Sequence, residues 1–324
     1  LWTVNSLGLK EIGLADHPDG RLRSADAGWA EHLTRRDAGL PEFGKRLACY
    51  GVTGITDATP DLGDADQVSA HLPQRVRWLS PGKRILHDDR LDLDELTDWV
   101  RATHAGGSTV ALHCVTVAQL VMTLAALQDA GVRPGDRIEH AAMVPGDCLA
   151  DLATLRVTVV TQPNFVAERG EEYLAEIPSD ELDQLWRVGS LLDAGVPVAL
   201  STDTPFGDAD PWAVMRAAVH RRTPMGRTVS ESECISPTTA LTMFLGSADE
   251  PARPREVVPG QPGDLCLLAA PRDTVLAELD AGLVAATVIG GQVVHAQPGT
   301  SIRWVPTTDN SRSASSAGEP GSAV

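Results

Sequence analysis

Four residues of a type that can hold a metal stand at or just past the end of a short apolar run. They are His113 in ALHCVT, His140 in RIEHA, Gln162 in VVTQPN and Asp203 in ALSTDTP. A histidine alone at the end of an apolar strand is more often a hydrogen-bonded core residue than a ligand. Here His113 and His140 close consecutive strand-like runs separated by one helix-like run, so parallel packing would bring both imidazoles to one rim. Asp203 follows the run VPVAL, where a buried carboxylate needs a partner, and a metal is the simplest one. Two imidazoles and a carboxylate suit zinc or a similar divalent ion. Lys83, in PGKRILHDDR, raises a separate question. It is one of three lysines, with Lys10 and Lys45, among 27 basic residues.

The elements that must position these residues alternate along the chain from about residue 50 to 245. GVTGITDAT reads as a strand. DLDELTDWVRATHAGG reads as a helix with Asp92 as N-cap, Glu95 three residues on and glycines at its end. TVALHC is a strand, and TVAQLVMTLAALQDAG is a helix capped by Thr116 and Gln119. A strand RIEHA, a short helix GDCLADLATL, a strand VTVVTQ and a helix DELDQLWRVGSLLDAG follow. Then come a strand VPVALSTD and a helix opening at Asp210 and Pro211. Such alternation means βα units and a parallel sheet. An open doubly wound sheet and a closed barrel both fit it. Polar residues at several strand ends favour the barrel, and no glycine-rich phosphate loop supports the nucleotide-binding alternative. After residue 255, VPGQPGDLCLLAA and VAATVIGGQVVHA read as strands, the second a hairpin around Gly290 and Gly291.

With 324 residues and 43% hydrophobic content, the chain can bury a large core. A formal charge of −17 repels phosphate backbones and anionic lipid, so nucleic acid and membrane surfaces are not expected partners. No apolar run is long enough to cross a bilayer and no leader pattern opens the chain, so it reads as cytoplasmic. Cys49, Cys114, Cys148, Cys234 and Cys266 are odd in number and set among apolar neighbours, which fits reduced core thiols. Among the other histidines, His17, His32, His71 and His104 are expected at the surface. His87, His220 and His295 have no matching partner in sequence. Alternation along a strand should turn Glu139 away from His140, toward packing or a salt bridge.

The ordered set KRILHDD, VALHCVTVAQL, GDRIEHAAMVP, VVTQPNF, LLDAGVPVALSTDTPFGDADPW and GQPGDLCLL resembles the metal-dependent amidohydrolase superfamily. The branch in question is the one related to N-substituted formamide deformylase, and the resemblance runs from about Leu1 to His295. It implies an α/β fold, a (β/α)8 TIM-type barrel with a small antiparallel β-sandwich unit at the C-terminal end. It also implies that Lys83 reacts with carbon dioxide to form a carbamate bridging two metals, that His113 and His140 are ligands, and that Asp203 is the aspartate of the eighth strand. Only a primary amine can become a carbamate; the guanidinium of arginine stays charged.

The chain departs from the family pattern in two places. The pattern carries a His-x-His pair at the end of its first strand, and no such pair occurs in these 324 residues. The barrel is therefore expected to be incomplete at its N-terminus, in keeping with a chain that opens on Leu1 inside structured-looking sequence, whether through a literally translated start codon or loss of an N-terminal part. The second departure is local: too few residues separate RVRWL from Lys83 for a helical crossover, so irregularity is expected there. The expected divisions are 1–50, an N-terminal remnant packing on the barrel; 51–250, the barrel; 251–305, the small β unit; and 306–324, a disordered tail rich in Ser, Gly and Ala.

The resulting expectation is a metal-dependent hydrolase of non-peptide C–N bonds, acting on a small amide or an N-acyl or N-formyl substrate. Asp203 would be general base and then general acid, a divalent ion, most simply Zn2+, would be the cofactor, and QPNF around Gln162 and Phe165 would line the substrate side. The competing expectation is a catalytically inactive barrel that binds a ligand or partner. A third is a one-metal deaminase of the same superfamily, for which Lys83 would be irrelevant. Unpaired strand edges would favour aggregation or a homo-oligomer.

Overall fold

The computed structural model describes residues 2–22, 39–60 and 65–302. His32 and the tail expected over 306–324 lie outside the described residues.

The chain opens with β1 (Trp2–Thr3), α1 (Ser6–Glu11) and β2 (Arg21–Leu22), where β1 pairs antiparallel with β2 over a small cluster of Leu9, Ile12 and Leu22. Helix α2 (Leu40–Cys49) follows. The alternating region then runs through β3 (Gly54–Asp57), α3 (Ala65–Ala70), β4 (Arg75–Trp78), β5 (Lys83–Ile85), α4 (Leu93–Ala105) and β6 (Ala111–Cys114). It continues with α5 (Val117–Ala130), β7 (Arg137–His140), α6 (Cys148–Leu155), β8 (Thr158–Thr161), α7 (Asn164–Glu176), α8 (Val188–Asp193), β9 (Val198–Leu200) and α9 (Pro211–His220). After α10 (Pro237–Thr242) come β10 (Leu265–Leu268), α11 (Arg272–Glu278), β11 (Val284–Ile289) and β12 (Gln292–Ala296).

Strands β5 to β9 form a five-stranded parallel sheet in sequential order, and β3 pairs parallel with β4 in a separate two-stranded sheet. The division between the two sheets falls where the sequence leaves no room for a crossover helix, between β4 and β5. Gly82 fits that turn because a Cβ there would lie 1.8 Å from the Thr109 carbonyl oxygen. The Gly82 carbonyl accepts from Ala111 N at 2.8 Å, which starts the β5–β6 ladder.

Alternation gives the five-stranded sheet two different faces. Leu112, Cys114, Ile138, Val159, Val198 and Leu200 join one apolar core with Leu96 and Val100 of α4, Leu120, Leu124 and Leu127 of α5, and Leu191 of α8. Helix caps agree with the sequence. The Asp92 carboxylate accepts from Glu95 N, and Thr116 and Gln119 form a reciprocal capping box.

Four expectations change. DELDQLWRVGSLLDAG is not one helix: a short 3-10 turn at Leu182–Gln184 gives way to α8, with Leu185 and Trp186 extended or left-handed between them. Both are buried, and their carbonyls accept from Arg221 Nη2 and Nη1 at 2.9 Å each, so a tertiary partner replaces the helical hydrogen bonds. The C-terminal unit is a single antiparallel sheet, β10–β11–β12, rather than a sandwich. Its cover is α2, tied by Thr287 Oγ1 donating to the Ala48 carbonyl at 2.6 Å, so the second helix of the 1–50 segment sits on this sheet. All five cysteines are free, but Cys49 and Cys266 are exposed and only Cys114 and Cys148 are buried.

The fourth change is His104, expected at the surface and found buried. Its Nε2 lies 3.0 Å from Asp136 Oδ2, and the same carboxylate accepts from Val110 N at 2.8 Å and Arg133 N at 2.7 Å. The apolar helix face concealed the histidine because its partner lies 32 residues away in sequence. Asp136→Ala strands two amides and an imidazole together, and is expected to destabilise the fold by about 3 kcal/mol. A urea titration of the variant against the parent reads this directly as a lowered midpoint at unchanged slope.

Candidate metal centre

The inner face of the five-stranded sheet carries the chemistry. Register places Ile85, His113, Glu139, Val160 and Ala199 in one row, with Lys83, Ala111, Arg137 and Thr158 in the row below. Lys83 alternates with Arg84, which reaches outward to Glu95 of α4 at 2.5 Å and stacks on Trp99. Lys83 is therefore turned inward, and it is buried. Burial pushes its amine below the usual lysine value, opposed by the nearby charges of Glu139 and Asp203.

By alternation His140 would share the outward face of Ile138. It does not, because His140 takes a left-handed backbone with φ 72° and Ala141 follows at φ 45°. The turn brings the His140 ring to within 4.4 Å of the His113 ring, centroid to centroid, edge on. It also places His140 Nδ1 3.9 Å from Asp203 Oδ2. Asp203 also lies in the left-handed region, at φ 54°. Such conformations cost free energy and persist where surrounding structure enforces them. Behind Asp203, Gly207 permits close packing: a Cβ there would meet Asn164 Nδ2 and the Thr202 carbonyl, each at 2.4 Å.

Gln162 orients His140. Its Nε2 donates to Ser201 Oγ at 2.8 Å and to the Val160 carbonyl at 3.2 Å, which leaves Oε1 to face His140 Nδ1 at 2.8 Å. The shared proton therefore sits on Nδ1 and Nε2 keeps its lone pair, as in metal-ligating histidines braced by an outer carbonyl. Burial lowers the His140 pKa, with Asp203 and Glu139 opposing. Burial, with His140 and Lys83 nearby, lowers His113 to about 3, so both rings are neutral at ordinary pH. Burial raises Asp203, opposed by His140 and Lys83.

The structure thus brings Lys83, His113, His140 and Asp203 into one neighbourhood. Among the described residues, no three or more His, Cys, Asp or Glu side chains close around a single point as a complete cage would. Two neutral imidazoles, one braced from behind, with a carboxylate and a buried amine fit one side of a divalent metal site.

Four residues read otherwise from sequence belong here or leave. Glu139 was expected to face away from His140; the left-handed turn at His140 puts both on the inner face. Burial pushes the Glu139 carboxyl up, but Arg137 and Lys83 outweigh it and hold the carboxyl below its ordinary value. Its ion pair with Arg137 spans 3.2 Å from Nη2 to Oε2, and the signal for it was Arg-x-Glu with period two on a barrel strand. Gln162 and Phe165 were expected on the substrate side. Gln162 is buried behind His140, and Phe165 packs against Trp186 at 5.2 Å in a second core. His87, set aside in sequence, lies near enough to His113 to lower its pKa, two strand periods beyond Lys83.

Comparison with known proteins identifies the family and the fold. A family model described as "Amidohydrolase family" matches residues 48–295. The chain is 25% identical over 221 residues to YtcJ of Bacillus subtilis, named as a candidate amidohydrolase, covering 65% of this chain and 41% of that protein. It is 32% identical over 109 residues to N-substituted formamide deformylase of Arthrobacter pascens, covering 33% of this chain and 20% of that protein. The chain therefore spans less than half the length of these curated relatives. Among solved structures, an uncharacterised metal-dependent hydrolase of Pyrococcus furiosus superposes with a TM-score of 0.58 at 18% identity, covering 77% of this chain and 65% of that one. Guanine deaminase of E. coli gives 0.51 at 13% identity, covering 80% and 75%. The fold shared with them is the TIM-type barrel.

The His113 shift has a measurable sign. The folded pKa near 3 lies below the ordinary 6.5, so the unfolded chain takes up a proton that the folded chain refuses. The stability is complete above about pH 6.5 and is lost as pH falls toward 3. In metal-free protein His113→Asn is expected to remove about 1 to 2 kcal/mol of the fall between pH 6.5 and 5, read by chemical denaturation at both pH values.

Proposed function

Because the chain belongs to the amidohydrolase family, we propose that it hydrolyses a non-peptide C–N bond in an amide, N-acyl or N-formyl substrate. The observation that carries this reading is the pair of left-handed rim residues, His140 and Asp203, set 3.9 Å apart above a buried lysine. His113, His140, Asp203 and Lys83 would hold a divalent ion, most simply zinc. When bound, the metal acidifies a water to near neutrality and polarises the substrate carbonyl.

Asp203 takes the proton of the attacking water on its carboxylate and passes it to the leaving nitrogen, so it serves as base and then as acid. Gln162 keeps His140 in one tautomer and one orientation. Lys83 is the amine from which a carbamate could form: burial favours the uncharged amine, which attacks carbon dioxide. Glu139 and Arg137 hold a fixed pair of charges at its side.

A second reading, a barrel that binds a ligand without turnover, is favoured by the absence of a His-x-His pair from the 324 residues. One set of measurements separates the two. In the full-length protein supplied with zinc and an N-formyl or N-acyl amine, Asp203→Asn is expected to lose at least about a hundredfold in turnover while bound metal falls only modestly. His140→Asn is expected to lower bound metal and turnover together. Ligand binding without hydrolysis in the parent protein would establish the second reading; near-full activity in Asp203→Asn would overturn the mechanism.

A further inference from the structure

The loop that follows β9 and the first turns of α7 are stapled to one another beside Asp203. Asn164 Nδ2 donates to the Thr202 carbonyl at 3.4 Å, and Asp208 N donates to Glu168 Oε1 at 3.1 Å. Phe206 N and Gly207 N both return to the Asp203 carbonyl, at 2.8 and 3.1 Å. Arg169 stands on this staple. Its guanidinium stacks over the Phe165 ring at 4.5 Å and donates through Nη2 to the Phe206 carbonyl at 2.9 Å. The two contacts fix the plane of the group while leaving it exposed to solvent.

Two further facts make this arginine unusual. It is tied to the turn that Asp203 opens, since the Phe206 carbonyl accepts from Arg169 and the Phe206 amide returns to the Asp203 carbonyl. Among the described residues no carboxylate pairs with it, although the chain carries 44 acidic residues against 27 basic ones and acids flank it in sequence. Those neighbours are engaged elsewhere. Glu168 accepts from Asn164 and from the Asp208 amide, and Glu171 pairs with Arg227. A planar, immobilised guanidinium with free N–H groups at the rim is the natural partner of a carboxylate, which it can hold through two parallel hydrogen bonds.

From this arrangement we infer that Arg169 is a specificity-determining residue that anchors a carboxylate on the substrate, so that the preferred amides are N-acyl or N-formyl amino acids rather than neutral amides. The inference rests on the hydrolase reading above for its reaction but not for its binding contact. The carboxylate docks on Arg169, and the scissile bond falls toward Asp203.

The test uses full-length, zinc-supplied protein, with N-formylalanine and N-formylalanine methyl ester as the paired probes. The parent is expected to prefer the free acid by at least about tenfold in kcat/KM, a magnitude typical of one charge-assisted contact. Arg169→Met keeps the stacked stem and removes the charge; it is expected to abolish the preference by raising KM for the acid far more than for the ester. Arg169→Lys is expected to recover the preference only in part. Equal use of acid and ester by the parent, or an equal loss on both in Arg169→Met, would overturn the inference and leave the hydrolase reading intact. Ligand-observed NMR with the same two probes on metal-free protein supplies the other arm. Acid binding lost in Arg169→Met, without turnover by any form, would retain the anchor and reject the hydrolase reading. No difference between acid and ester binding would reject the anchor.

Discussion

The parity of five parallel strands governs this molecule. Each strand gives one set of residues to the helices and the other to the interior, so a shift of one residue would exchange a leucine for a histidine or lysine. The register holds Lys83, His113, Arg137 and Glu139 on the inner face while Leu112, Ile138 and Val159 fill the outer core. The outer face is the strong constraint. Burying its aliphatic side chains against α4, α5 and α8 stabilises each strand by about 1.5 to 3 kcal/mol per side chain, and the polar interior is tolerated on that account. The inner charges then settle among themselves: Glu139 against Arg137 and Lys83, and His140 against Gln162.

Much of this was legible in the sequence because it is local. The capping box at Thr116 and Gln119, the N-caps at Asp92 and Asp210, and the hairpin at Gly290 and Gly291 depend on neighbours within a few residues. The polar residues at or just past the ends of β6 to β9 were legible for the same reason. What sequence concealed depends on contacts from far along the chain or on a single torsion. The break at Trp186 needs Arg221, 35 residues later, and the burial of His104 needs Asp136. The side on which Glu139 falls relative to His140 turns on φ at one residue, and a period-two argument has no access to it.

The same torsions explain why the site residues sit where alternation fails. A strand that ran on regularly would send His140 to the helices. Reversing it at the last residue releases the ring from the ladder and lets Gln162, one strand over, choose its nitrogen. Asp203 makes the parallel move at the end of β9, and its carbonyl gathers two amides of the following turn. Rigid strands supply the position and left-handed termini supply the aim, which is the division of labour a reactive group needs if its geometry is to be held without substrate.

The pairing of α2 with the last sheet has a consequence in time. Thr287 lies 239 residues beyond Ala48, the carbonyl it caps. At roughly 5 to 20 residues per second of synthesis, the helix waits on the order of ten to fifty seconds before its covering strands leave the ribosome. Through that interval Leu72, Pro73 and Gln74 can already meet α2 at Gly44, but its face toward the C-terminal sheet stays open to water, so this seam closes only after most of the described chain has been made.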